Sequence, residues 1–419
     1  MEKELFRAII AENQEYIGRI PLVQRPLDLE EYGNYVFVGV RQAGKSYLLY
    51  QRIQQLLANG VEIENIVYIN FDDERLQGMS VTDFDLILQA YHSMYDSQPI
   101  FFFDEIQNVE GWANFARRLA NQKYHIYITG SNAKMLSRDI ETVLGGRYLD
   151  ISVFPYSFSE YLKAVGVLLS KNWQYGRKAN ELQRHFRTYF DWGGFPELVH
   201  FQEKRVWLNS LYNRIFFNDL VVRHKVKNED ALRLCVRRLA ESVKQPCSLN
   251  RLSNLIKATG TSCSPSTVME YVRYLQESCL LISIDNYVSK FVEKETIKKH
   301  YFVDNGLLHL FINNPNTSLL ENLCAITLYK KYGKGLYYYN KNIEVDFYVP
   351  DEGLAVQASY QMSDGETIER EVKALIALHG LYPLKRAMII TYEDEGEIVR
   401  DGLKIEIRPA WKWVVNGEC

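Results

Sequence analysis

Three observations predict an α/β fold with a three-layer parallel sheet at the N-terminal end of this 419-residue chain. Short apolar runs alternate with amphipathic helical stretches. One run, Tyr35 to Val38, leads straight into a glycine-framed loop, and another, Ile100 to Phe103, ends in two adjacent acids. Strands that are apolar throughout and joined by helices need cover on both faces, which is the condition of a parallel sheet.

The elements follow in order. MEKELFRAIIAENQEYIGRI opens the chain as an amphipathic helix, and Gly33 and Asn34 punctuate it before the first strand. A helix from Ser46 to Ala58 follows the glycine loop. Ile66 to Phe71, Ile100 to Phe103 and His125 to Thr129 read as strands, with helices from Val81 to Tyr95 and Trp112 to Gln122 between them. From Phe154 to Phe217 helical periodicity runs alone, broken at Gly193-Gly194 and Pro196, as a helical lid or linker would be. Between Leu249 and Tyr287 two helical stretches flank a turn at Thr259 to Pro265 and run into the strand LLISI, the order of a winged helix-turn-helix. The remainder returns to α/β: helices at Leu319 to Tyr332 and Thr367 to His379, strands at Gly335 to Tyr339, Val345 to Val349, Leu354 to Ala358 and Arg386 to Thr391. The expected domains are 1–153, 154–228, 229–305 and 306–419.

Composition narrows the function classes. A net charge of -3 and a pI near 6.3 give no global attraction to polyanions, so any nucleic-acid contact must be a local patch. Six cysteines (Cys235, Cys247, Cys263, Cys279, Cys324, Cys419) contain no CxxC pair, which argues against a zinc site or a disulfide framework. No apolar run reaches about 18 residues and the opening helix carries Glu and Gln, so neither a membrane span nor a secretory leader is expected, and a cytoplasmic setting fits.

Gly39-Val40-Arg41-Gln42-Ala43-Gly44-Lys45-Ser46 completes the pattern GxxxxGK[ST] between a strand and a helix. Glycines allow a tight loop whose main-chain N–H groups turn inward, and the helix aims its positive end at phosphate. Gly39, Gln42, Ala43, Gly44, Lys45, Ser46 and Tyr47 are the candidate nucleotide-binding set. Lys45 would neutralise the β and γ phosphates, and Ser46 would ligate Mg²⁺. Asp104 and Glu105 close the apolar strand IFFF at the sheet edge where nucleotides bind. Asp104 suits the magnesium shell, and Glu105 suits a general base acting on water. The next strand ends in Thr129, Ser131 and Asn132, which would sense the γ phosphate or cap a helix starting at Lys134. Arg147, after Gly145-Gly146, is a candidate arginine finger or a plain surface arginine. With no NKxD guanine reader in the sequence, ATP is the expected nucleotide.

GVRQAGKS, FFFDEIQ, ITGSN, LGGR, FPYSFSEYL and GGFPE occur in the order that resembles the prokaryotic AAA-type, STAND-like ATPases carrying a C-terminal domain of unknown function. The resemblance implies a P-loop ATPase core, a helical lid, a winged helix and a restriction-endonuclease-like C-terminal fold. It implies that Arg147 is the family's GR arginine, and that Gly194 with Pro196 forms a lid signature facing the nucleotide.

Two appended modules remain. The second helix of the helix-turn-helix, Ser266 to Ser278, holds Arg273 against Glu270 and Glu277, so it is net acidic; Lys290, Lys294, Lys298, Lys299, Arg233, Arg237 and Arg238 supply positive charge nearby. Duplex DNA and a protein are both candidate partners. The C-terminal segment resembles the PD-(D/E)xK nuclease layout at Glu321 and Asp346, but Gln357 and Ser359 stand where an acid and a lysine belong. That predicts a retained fold with a lapsed site; Lys373 on the next helix is a candidate substitute for the missing lysine.

The expected function is an ATP-dependent switch or motor whose appended domains engage a partner, in a homo-oligomer or alone. The alternative is a DNA-processing enzyme in which the ATPase regulates a C-terminal metal-dependent nuclease.

Overall fold

The computed structural model describes residues 1–30, 33–132, 142–169, 171–362 and 365–416. It divides into two compact units, Met1–Phe154 and Pro155–Cys419.

The first unit is a five-stranded sheet of β1 (Asn34–Gly39), β2 (Ile66–Asn70), β3 (Ile100–Asp104), β4 (His125–Gly130) and β5 (Tyr148–Val153). Their order is β2-β3-β4-β1-β5, and every pairing is parallel. The helices α1 (Lys3–Tyr16), α2 (Lys45–Ala58), α3 (Phe84–His92) and α4 (Trp112–Asn121) complete the α/β layers, with α1 packed on α3 and β2. Phe101, Phe102 and Phe103 of β3 are wholly buried. Each such ring contributes about 1.5–3 kcal/mol of transfer free energy. A strand so anchored holds its terminal acids at a fixed height in the sheet.

Two details differ from the sequence prediction. Val81 to Tyr95 is not one helix: Val81–Asp83 is a 3₁₀ turn, and α3 begins only at Phe84. The Asp83 carboxylate turns back to accept the Ser80 N–H at 2.9 Å, which tightens the entry. The strand β5 has no clear apolar signal, because it is an edge strand with exposed Leu149 and Asp150 that pairs with β1 alone.

The second unit opens with helices α5 (Phe158–Ala164), α6 (Gly176–Trp192) and α7 (Lys204–Arg214), the last continuing into a π-helical turn at Ile215–Val222. α5 starts on a capping box in which Ser157 Oγ accepts the Glu160 N–H and the Glu160 carboxylate accepts the Ser157 N–H. There follow α8 (Glu229–Glu241), β6 (Cys247–Ser248), α9 (Leu249–Lys257), α10 (Pro265–Glu277), β7 (Leu281–Asn286), α11 (Phe291–Thr296) and β8 (Ile297–Phe302). α9 and α10 are each capped by a serine side chain, Ser248 and Ser264, and pack on each other before the β7–β8 hairpin. Then come α12 (Asn305–His309), α13 (Asn316–Tyr332), β9 (Tyr337–Asn340), β10 (Glu344–Val349), β11 (Leu354–Ala358), α14 (Gly365–Leu381), β12 (Arg386–Thr391), β13 (Gly396–Arg400), β14 (Leu403–Pro409) and α15 (Ala410–Asn416).

One nine-stranded sheet, ordered β13-β14-β12-β11-β10-β9-β7-β8-β6, runs through this unit. The hairpin joins the C-terminal strands where β7 pairs in parallel with β9, Asp285 beside Tyr337 and Asn286 beside Tyr338. The expected boundary at 305/306 therefore falls inside a continuous sheet. Among the described residues, no helix is long and apolar enough to cross a membrane, and no disulfide joins the cysteines.

Candidate functional site

The loop after β1 turns through Gln42, whose φ is 62°, and Gly44, whose φ is 92°. Left-handed backbone at Gly44 is open to glycine without a Cβ clash, and it reverses the chain directly into α2. α2 begins with no side-chain cap on its first amides, unlike α5, α9 and α10. Those N–H groups and the helix dipole form an anion-binding mouth.

Lys45 is buried in that mouth. Its ammonium donates to the Gly39 and Val40 carbonyls, each at 3.2 Å, and stands 3.4 Å from Glu105 Oε1. Ser46 hydrogen-bonds to Asp104. Thus the lysine and hydroxyl of the loop meet Asp104 at the end of β3 and Glu105 just after it, as the sequence pattern requires.

Asp104 is buried and takes three donors: Ser46, the Thr129 hydroxyl through Oδ1, and the Tyr68 phenol at 2.8 Å through Oδ2. Burial raises its carboxyl, the Glu105 charge raises it further, and the three hydrogen bonds work against both. For Glu105 burial alone would raise the carboxyl, but Lys45, the Gln107 amide and Arg41 bring it below its ordinary value. Glu105 is therefore charged near neutral pH. Its backbone is left-handed, with φ at 52°, and its N–H is held by Thr129 Oγ1 at 2.9 Å.

Of the γ-phosphate sensor candidates, Thr129 bridges Asp104 and Glu105, while Ser131 is buried 3.5 Å from the Gln107 amide. The helix expected from Lys134 lies outside the described residues. Arg147 is exposed and turns its guanidinium onto the Gly145 carbonyl at 3.1 Å. Tyr47 is exposed on α2 with its ring 5.5 Å from that of Tyr50. Gly194 and Pro196 belong to the second unit. There the Gly194 N–H donates to Asp304 Oδ2 at 2.8 Å, and Pro196 leads into a 3₁₀ turn, Glu197–His200.

Three residues of the site were given no role from the sequence. Tyr68 shows in sequence only as a phenol in the apolar run IVYINF; Gln107 closes the motif FFFDEIQ, but nothing in that pattern assigns it to Glu105. Arg25 is far from every motif, yet its guanidinium ties the Ala43 carbonyl at 3.1 Å to the Phe154 carbonyl at 2.9 Å, which fixes the back of the loop.

A family model described as an AAA domain matches residues 32–162, and one described as a domain of unknown function (DUF8612) matches residues 183–318. The chain is 31% identical over 432 residues to the uncharacterized protein MJ1544 of Methanocaldococcus jannaschii, covering 98% of this chain and 95% of that protein. It belongs with that protein to a family of P-loop ATPases. This ATPase is also 30% identical over 383 residues to an uncharacterized protein of Haemophilus influenzae, covering 88% of the one and 92% of the other. Among solved structures, the Walker-type ATPase PABY2304 of Pyrococcus abyssi is similar to 74% of the chain and 95% of its own, at 12% identity and a TM-score of 0.42.

In the second unit of the ATPase, Glu321 of α13 and Asp346 of β10 do come together, but around a lysine that the sequence reading placed elsewhere. Lys299, expected as surface charge beside the hairpin, is wholly buried and contacts both acids. Lys373, the candidate substitute, is exposed and pairs with Glu369 at 3.2 Å, because α14 turns that face to solvent. Gln357 and Ser359 are both buried. Gln357 spans β10 by accepting the Asp346 N–H at 2.8 Å and donating to the Glu344 carbonyl at 3.1 Å.

Other cations near the helix pair are also engaged. Lys298 lies 3.0 Å from Asp285, Arg237 and Arg238 pair with Glu241, and Arg273 stands 3.7 Å from Glu277. Arg233 packs its guanidinium 4.0 Å from the Phe216 ring centre.

Proposed function

We propose that the chain is an AAA-type switch that binds and hydrolyses ATP in its first unit and engages a partner through its second. The observation that carries this reading is the meeting of Lys45 and Ser46 with Glu105 and Asp104 at the mouth of an uncapped helix. The loop amides from Gly39 to Ser46, Gln42 and Ala43 included, cradle the phosphates, with Tyr47 and Ser131 at the margins. Magnesium, held by Ser46 and Asp104, would supply positive charge to the phosphates. Binding of the triphosphate draws the Lys45 ammonium off the Gly39 and Val40 carbonyls and off Glu105. The freed, charged Glu105 then accepts a proton from the attacking water. Arg147, exposed on its loop, acts in this reading on a neighbouring copy. Gly194 and Pro196 form the turn of the lid.

The second unit is read as a helical lid at 154–228, a winged helix at 229–305 and a nuclease-like domain at 306–419. A lapsed nuclease is supported by Gln357, whose amide is spent on the main chain of β10. A protein partner is favoured over DNA, because Arg237, Arg238, Lys298 and Arg233 face acids or aromatic rings of the chain itself.

The test is a nucleotide-binding and turnover assay on two variants. Lys45→Ala should abolish ATP binding, while Glu105→Gln should bind ATP and fail to hydrolyse it. Unimpaired turnover in Glu105→Gln would remove the proposed base. A salt-dependent affinity for duplex DNA would overturn the protein-partner reading.

A further inference from the structure

Both carboxylate oxygens of Glu105 are engaged, and by partners of different kinds. Oε1 stands 3.4 Å from the Lys45 ammonium. Oε2 accepts a hydrogen bond from the Gln107 amide, two residues further along the chain. Lys45 belongs to the loop that meets the phosphates, whereas Gln107 belongs to the 3₁₀ turn Ile106–Asn108 that Glu105 itself opens.

That turn is a firm support. Ile106 is wholly buried, the Asn108 N–H donates to the Glu105 carbonyl at 3.1 Å, and the Asn108 side-chain amide donates to the Phe71 carbonyl at 3.3 Å. The Gln107 amide has a defined orientation within it. Its nitrogen faces Glu105, with Ser131 Oγ 3.5 Å away, while its Oε1 is buried and, among the described residues, has no hydrogen-bond partner. An unbonded buried acceptor is unfavourable. Turning the amide over would nevertheless set that oxygen against the Glu105 carboxylate, so the side chain is committed as a donor.

The terminal torsion of a glutamate is broad and roughly two-fold, so a carboxylate released by its partners exchanges its two oxygens freely. A general base has to present one oxygen within hydrogen-bond reach of the proton it takes. We propose that Gln107 is a positioning residue for the base: its amide keeps hold of Glu105 Oε2 after the triphosphate has drawn Lys45 away, so that Oε1 is the oxygen turned to the attacking water. This rests on the reading of Glu105 as that base. The water oxygen bonds to the γ phosphorus, the bond from that phosphorus to the β–γ bridging oxygen breaks, and a water proton passes to Oε1. The Gln107 bond to Oε2 persists throughout.

The experiment is ATP turnover by the full chain with Mg²⁺, for wild type, Gln107→Leu, Glu105→Gln and the double variant, each first shown to be folded by its thermal melt. Gln107→Leu removes the donor, so kcat should fall about tenfold or more while KM for ATP stays within about twofold, because the amide acts on the base and not on the phosphates. In the Glu105→Gln background the same change should alter the residual turnover by less than about twofold, whereas a group that merely packs would act alike in both backgrounds. Should Gln107→Leu fail to fold, Gln107→Met, unbranched and without a donor, takes its place. A folded variant with unaltered kcat would overturn the proposal, and so would an equal fall in both backgrounds or a raised KM with kcat intact. Unimpaired turnover in Glu105→Gln would remove the base and this inference with it. A strongly slowed Glu105→Gln beside a fully active Gln107→Leu would remove this inference alone.

Discussion

The Tyr68 phenol donates to Asp104 Oδ2 at 2.8 Å, and the Tyr50 hydroxyl lies 3.0 Å behind it. A residue of the strand next to β3 therefore fixes the orientation of the acid proposed to hold magnesium. Tyr68→Phe keeps the ring and removes this bond together with the hydroxyl contact to Tyr50. The Mg²⁺ concentration for half-maximal ATP turnover should rise several-fold, the equivalent of about 1 kcal/mol, with a smaller change in KM for ATP. An unchanged Mg²⁺ requirement would show that the phenol is only a packing group.

Lys45 and Glu105 neutralise each other in the structure, so nucleotide binding must break their 3.4 Å contact. Glu105→Gln removes the attraction. Its affinity for ATP, measured by calorimetry, should therefore rise by up to about tenfold while turnover falls about a hundredfold or more. Weaker ATP binding in this variant would mean that Glu105 positions the lysine instead of competing for it.

Asp304 accepts the Gly194 and Gly306 N–H groups, each at 2.8 Å, from full burial. Gly193 beside it has φ 78°, and a Cβ there would stand 1.9 Å from Asp304 Oδ1. Asp304→Ala strands both amides and should cost about 2–4 kcal/mol in urea unfolding. Gly193→Ala should be destabilising as well, through both the clash and the backbone.

Burial, with the Lys298 charge, lowers the imidazole of His300 from 6.5 to about 4. The folded chain therefore binds fewer protons than the unfolded chain between those values. Stability is lost as pH falls from about 6.5 toward about 4, by up to about 3 kcal/mol from this group. Glu321, held above the ordinary carboxylate range by burial and by Asp346, acts with the opposite sign. Comparing wild type with His300→Gln separates the two. Denaturant midpoints of the variant should fall less steeply on acidification, and parallel profiles would exclude His300 as the cause.

An Arg147 that acts on a neighbouring copy makes turnover depend on encounter. Specific ATPase activity should fall on dilution, and Arg147→Ala should flatten that dependence. Constant specific activity over a wide dilution range would place its role within one chain.

The first unit was the most legible part in sequence, because each central strand is an unbroken apolar run and each loop ends in residues with one chemical use. Lys45, Ser46, Asp104 and Glu105 could be named from spacing alone. Tyr68 and Arg25 could not, since a phenol in a strand or an arginine in a loop acquires meaning only when the fold brings it to Asp104 or Ala43. β5 escaped because an edge strand need not be apolar. Lys299 was misjudged for a related reason: in IKKH the two lysines alternate across the hairpin, so Lys298 pairs outside with Asp285 while Lys299 points into the acids. Neither charge count nor propensity distinguishes those neighbours without the register.

The pairing of Asp285 and Asn286 with Tyr337 and Tyr338 has a practical result. Truncation before residue 306 would bare the flank of β7, and starting the chain there would bare the flank of β9, leaving two sticky rims in place of a seam. Fragments cut at that point should precipitate or borrow strands from one another. The whole second unit, by contrast, should melt in a single cooperative step.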